Sequence, residues 1–172
     1  MKIDRLGNEM GGLGFGHFLT HAGKMFHCAF GWSAIAAAQT KVVGILTGTK
    51  ELHLKGININ ALGTWAVSIV EAPTGVTAGT AFVPWNRSRL GTPGACSAVF
   101  KIDVTGTTGG TEFTLGSISA GTGVVSETSM GGSEGGWDDE IILKPSTQYV
   151  LKLLSGATTG NAANVRFPFV EI

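Results

Sequence analysis

The residues most capable of chemistry fall in four places. His17, His21, His27 and Cys28 offer imidazole and thiol ligands, and histidines four apart would share one face of a helix, an arrangement that suits zinc. Glycines border that segment, and neither a second cysteine pair nor a nearby carboxylate completes a ligand set, so no metal site is expected. Asp138, Asp139 and Glu140 offer paired carboxylates for glycoside hydrolysis, with Asp138 and Glu140 on one face of a strand. Charge guarding an exposed edge explains the same residues more simply. Gly11 to Gly16 follows no strand and lacks the Gly-Lys-Ser/Thr ending of a phosphate-binding loop, and Gly75 to Thr80 has no lysine. No serine stands in a nucleophile elbow. The sequence therefore points to no catalytic residue and no cofactor. Trp85, Asn86, Arg87 and Arg89 read differently: a tryptophan beside two arginines combines contact area with directional polar groups, the makeup of a protein-interface anchor.

The elements that must hold these residues are strands. Across 172 residues there are 27 glycines and many threonines, which weaken helices, and only 14% of residues are charged. This length suits one domain with a real core. The longest apolar runs are far too short to span a bilayer, and no secretory signal is visible, so the expected site of synthesis and residence is the cytosol. Cys28 and Cys96 sit in apolar surroundings and are expected to be reduced and buried.

Residues 1–24 interleave six glycines with Leu13, Phe15, Phe18 and Leu19, and read as a flexible arm that orders on a partner. Residues 25–172 read as the folded domain. Strand patterns recur from Lys41 onward: Val43 and Ile45, then Leu52 and Leu54, with Gly56 as a bulge that switches the buried face before Ile57, Ile59 and Ala61. Trp65, Val67 and Ile69 follow. Residues 72–94 read as one long functional loop. Cys96 to Val104 forms a strand, Thr105 to Gly110 a hairpin turn, and Glu112 to Ser119 its return strand. Gly121 to Gly136 reads as loop, Trp137 to Lys144 and Thr147 to Leu154 as strands, and Asn164 to Glu171 as the closing strand. Seven to nine strands without helices to cover them imply two antiparallel sheets packed face to face, a β-sandwich of jelly-roll type.

The formal net charge is zero, which argues against coating nucleic acid, but it is divided: residues 1–101 carry +5 and residues 102–172 carry −5. Such a chain is expected to steer onto an oppositely charged surface, either a partner's or that of its own copy.

The order Glu71-Ala72-Pro73-Thr74, Ala78-Gly79-Thr80, Pro84-Trp85-Asn86-Arg87-Ser88-Arg89 and Leu143-Lys144-Pro145-Ser146-Thr147-Gln148-Tyr149, with an aromatic-rich last strand, resembles the jelly-roll head decoration (cement) proteins of tailed bacteriophages. The likeness runs from about Met25 to the C-terminus. Ser88 stands where that family has a second asparagine. The resemblance implies a non-enzymatic virion protein made in the host cytoplasm. It would sit on the outer capsid surface, bridge neighbouring major capsid protein subunits and form homo-oligomers, dimers or trimers. Neither nucleic acid nor membrane is an expected partner. On this reading Leu13, Phe15, Phe18 and Leu19 of the arm, with Trp85, Asn86, Arg87 and Arg89, contact the capsid or a sister subunit. The alternative is a carbohydrate-binding or fibre-tip module, with Trp32, Trp65, Trp85 and Trp137 as platforms.

Overall fold

The computed structural model describes residues 19–88, 94–119, 125–130, 140–156 and 161–172. Thirteen strands are present among them: β1 (Met25–Ile35), β2 (Thr40–Leu46), β3 (Leu52–Leu54), β4 (Ile57–Leu62), β5 (Thr64–Glu71), β6 (Thr80–Phe82), β7 (Trp85–Asn86), β8 (Val99–Ile102), β9 (Thr111–Ser119), β10 (Val125–Met130), β11 (Ile141–Leu143), β12 (Gln148–Ser155) and β13 (Asn161–Glu171). They form two antiparallel sheets, the two-sheet sandwich that the strand patterns predict. One sheet runs β10-β4-β13-β1-β7, with β3 and β11 continuing the rows of β4 and β10; the other runs β6-β8-β2-β12-β5-β9. The connections from β1 to β2, β4 to β5 and β11 to β12 each carry the chain from one sheet to the other.

Alternation explains the core. Phe26 and Cys28 of β1, Ile57 and Ile59 of β4, Trp65 and Val67 of β5, Leu151 and Leu153 of β12, and Phe167 and Phe169 of β13 all turn inward and are buried. At its centre Phe100 packs against Phe167 and Phe169, with ring centroids 6.2 and 5.2 Å away. The predicted bulge at Gly56 is present. Leu54 pairs with Phe169 while Asn58 pairs with Arg166, so this strand has one residue more than its neighbour, and the buried set moves from even to odd positions. Pro168, which has no N–H to give, lies opposite this irregularity and accepts from the Lys55 N–H at 2.8 Å.

Four expectations are corrected. First, β1 is a full strand that precedes Lys41, where the strand patterns are expected to begin. Second, residues 72–94 are not one loop, since they contain β6 and β7. Third, residues 125–130 of the supposed Gly121–Gly136 loop pair with β4. Fourth, β9 does not return along β8; it pairs with β5 instead. The hairpin is forestalled because Asp103, at φ 55°, turns the chain after β8 and sends Val104 to the outer face of its sheet. There Val104 joins Val70 and Val150 in a second small core.

A clasp covers that second core. Thr74 bridges to Thr108 and Thr77 to Thr105, so two turns lie back to back across the outer face of the sheet. Gly75 and Gly106, at φ 71° and 72°, meet backbone to backbone, and a Cβ on either would run into the other's carbonyl oxygen. Gly106→Ala is therefore expected to open the clasp, at a cost of about 1–3 kcal/mol. Hydrogen exchange would show it as faster exchange at Thr105 and Thr108, with the amides of β12 unchanged; equal protection in the variant would refute the clasp.

Candidate functional site

Trp85, Asn86 and Arg87 of the predicted interface are drawn to one corner of the sandwich by the pairing of β7 with β1. Phe26 pairs with Asn86 and His27 with Trp85, and the Arg87 N–H donates to the Met25 carbonyl at 2.9 Å. Asn86 is buried and ties the corner together. Its amide Nδ2 donates to the Gly23 carbonyl at 2.6 Å and to that of Gly94 at 3.3 Å, while its Oδ1 accepts from the Ser88 N–H at 2.9 Å. It is thus a positioning residue for the loop, in keeping with the local turns that asparagine favours.

Trp85 remains 45% exposed and stacks on His27, ring centroids 4.9 Å apart and planes 16° from parallel. His27 is only 5% exposed. Arg166 of β13 donates from Nε to His27 Nε2 at 3.2 Å, which requires that nitrogen to be an acceptor without a proton. The exposed Arg87 directs Nη1 toward the Met25 sulfur at 3.4 Å.

Leu19 meets the same corner from below. Residues 19–21 make one helical turn, closed by the Lys24 N–H donating to the Leu19 carbonyl at 2.9 Å, and Leu19 packs on Met25 and Val170. Within this chain Leu19 is a buried residue of the domain. Leu13, Phe15 and Phe18, like Arg89, lie outside the described residues.

His27 and Arg166 were not foreseen as parts of this site. The sequence offers His27 and Cys28 together as metal ligands, but neighbouring strand residues point to opposite faces, so His27 lies under Trp85 while Cys28 enters the core. Among the described residues no group of three or more His, Cys, Asp or Glu side chains could hold a metal ion. Of the four tryptophans, Trp65 is fully buried and donates to the Leu62 carbonyl at 2.8 Å, and half-covered Trp32 donates to Asp103 at 3.0 Å. Trp137 lies outside the described residues, which leaves Trp85 as the exposed tryptophan among those described.

Glu140, one of the carboxylates offered for glycoside hydrolysis, is held by Lys55 and His53. Lys55 contacts one carboxylate oxygen and His53 Nδ1 lies 3.0 Å from the other. Partial burial pushes its carboxyl up, but the Lys55 and His53 hydrogen bonds outweigh that and leave it below the usual range. Such a group is ionised at neutral pH and has no proton to donate. Asp138 lies outside the described residues. A separate apolar cleft of about 250 Å³ opens between β9 and β11, lined by Phe113, Leu115, Ile141 and Tyr149 among others. Glu71, also at its wall, is paired with Lys144.

The chain matches no protein-family model, and no curated protein sequence matches it.

Proposed function

We propose that this chain is a capsid decoration protein of tailed bacteriophages. It binds the outer surface of the major capsid protein lattice, bridges neighbouring subunits, and stabilises the head by hiding surface between them. The observation that carries this reading is the convergence of Trp85, Asn86, Arg87 and the Leu19 turn on one corner, where a half-exposed tryptophan is held rigid on a buried histidine. Rigid aromatic and arginine side chains lose little freedom when a partner covers them, and they dominate interface energies. The resemblance of the chain's local motifs to those of the decoration family, Pro84 to Arg87 among them, supports it. Many copies on one shell multiply a modest contact into firm attachment.

Cryo-electron microscopy of heads prepared with and without the chain tests the proposal. Density for it is expected on the outer surface, and Trp85→Ala is expected to reduce occupancy by about tenfold or more. Deletion of residues 1–18, which stops short of the buried Leu19, tests the arm separately from the fold; lower occupancy of heads by a folded protein is expected. Absence of density, or binding to glycans without affinity for heads, would overturn the reading.

A further inference from the structure

The charges at this corner bear on what kind of surface it meets. Six ion pairs join described residues, and they engage Lys41, His53, Lys55, Lys144 and Lys152. Arg87 and Arg166 are both exposed, and among the described residues neither has a carboxylate partner. Lys24, exposed and next to Met25, adds a third positive charge. Glu171, whose N–H bonds to the Lys24 carbonyl, turns its carboxylate away to Ser97 and Ala98. Because His27 Nε2 accepts from Arg166, the imidazole beneath Trp85 does not carry a proton there.

We propose that this corner recognises an acidic segment of a partner protein, one that presents carboxylates on either side of an apolar side chain. The proposal rests on reading the corner as a partner site and names the chemistry of what binds it. Arg166 has spent Nε on His27, which fixes its guanidinium in place and leaves its two terminal nitrogens as a fork for a carboxylate. Arg87, which directly follows β7 beside Met25, serves a second carboxylate. By the register of β7, β1 and β13, Trp85, 45% exposed over His27, lies between them, and Val83, 84% exposed and two positions earlier, extends the apolar contact area. The exposed valine and the net positive charge of the two arginines favour an acidic polypeptide over a neutral sugar, which offers no carboxylate to pair with them.

The test uses the full chain and immobilised polymers: poly-glutamate, a glutamate–tyrosine copolymer, poly-lysine and neutral dextran. Binding is expected to the two acidic polymers, tighter to the copolymer, and weakened by rising salt. Arg87→Gln and Arg166→Gln should each weaken it about tenfold, and Trp85→Ala should abolish the preference for the copolymer. Lys50→Gln and Lys101→Gln remove the same charge from exposed lysines elsewhere and should leave affinity within about twofold. Equal losses in the lysine and arginine variants, or preference for dextran, would overturn the proposal. Acidic-polymer binding that follows the arginines, in a protein with no affinity for heads, would uphold it while removing the capsid reading. Head binding indifferent to both arginines would do the reverse.

Discussion

Glu171→Ala is expected to remove about 3–5 kcal/mol from folding stability, a large share of what a domain of this size has. The Glu171 side chain is 3% exposed at the end of β13. Its carboxylate accepts from the Ser97 N–H at 3.0 Å, the Ala98 N–H at 3.1 Å and the Ser97 hydroxyl at 2.5 Å, with the Cys96 thiol at 3.7 Å. Backbone N–H groups, not a cation, meet this charge, so truncation leaves two of them without this acceptor, that of buried Ala98 in a site too enclosed for free solvation. Hydrogen bonds to an ionised acceptor are worth about 1.5–3 kcal/mol each and do not add fully, which sets the range. Glu171→Gln retains an oxygen acceptor and is expected to lose roughly half as much. Urea unfolding of the three proteins measures this. A Glu171→Ala variant within about 1 kcal/mol of the parent would show that the carboxylate does not fasten the segment before β8 to β13.

The same residue shows where a sequence reading reaches and where it stops. Val165, Phe167 and Phe169 announce the inner face of β13 by alternation, and Glu171 continues their parity inward. The pattern reveals that a carboxylate enters the sandwich, but not that Ser97 and Ala98, more than seventy positions earlier, wait there with their N–H groups. Periodicity was sufficient for β4, β5 and β12, whose inward rows are complete. It was present but hidden in β1, where Phe26, Cys28 and Phe30 alternate directly after a glycine-rich stretch that draws attention away from strands. It failed for β9, because nearness in sequence favours a hairpin with β8 while the left-handed turn at Asp103 and the clasp favour β5.

The candidate site divides along the same line. Trp85 and Arg87 were legible by residue type, since a loop holding both invites an interface reading. His27 and Arg166 were not, because their roles come from strand register. β1 must lie between β7 and β13 before Trp85 can cover His27 and Arg166 can reach its Nε2. His27 also sat beside Cys28 in a pattern that suggested metal, and only the alternation of β1 separates the two side chains. What the site does depends on pairings that no local window contains.

Alkali is expected to destabilise this protein progressively above pH 9, and the cause lies in two thiols. Burial pushes the Cys28 thiol up to about 12, and the nearby Cys96 charge adds to the shift. Cys96 is raised to about 12 as well, by burial first and then by the Glu171 carboxylate. Both cysteines are free, Cys28 buried as expected but Cys96 only part-buried, so both can titrate. An ordinary thiol ionises near 9, hence the unfolded chain loses its protons there while the folded chain keeps them. The folded state then binds more protons than the unfolded state, and stability falls with rising pH. The contribution is whole below pH 9 and disappears as pH climbs through about 12; for fully buried Cys28 the gap corresponds to roughly 4 kcal/mol. Tyr149, raised chiefly by burial, pulls in the same direction. Thermal unfolding from pH 7 to 11 should show a flat region followed by a steep fall in Tm above pH 9. Cys28→Ala is expected to lower Tm at pH 7 by leaving a small cavity, yet to flatten the alkaline slope, and Cys28→Ala with Cys96→Ala to flatten it further. Native thiols should also resist a disulfide reagent at pH 8 and react on unfolding. An alkaline slope identical in the parent and the double variant would place the titrating groups elsewhere.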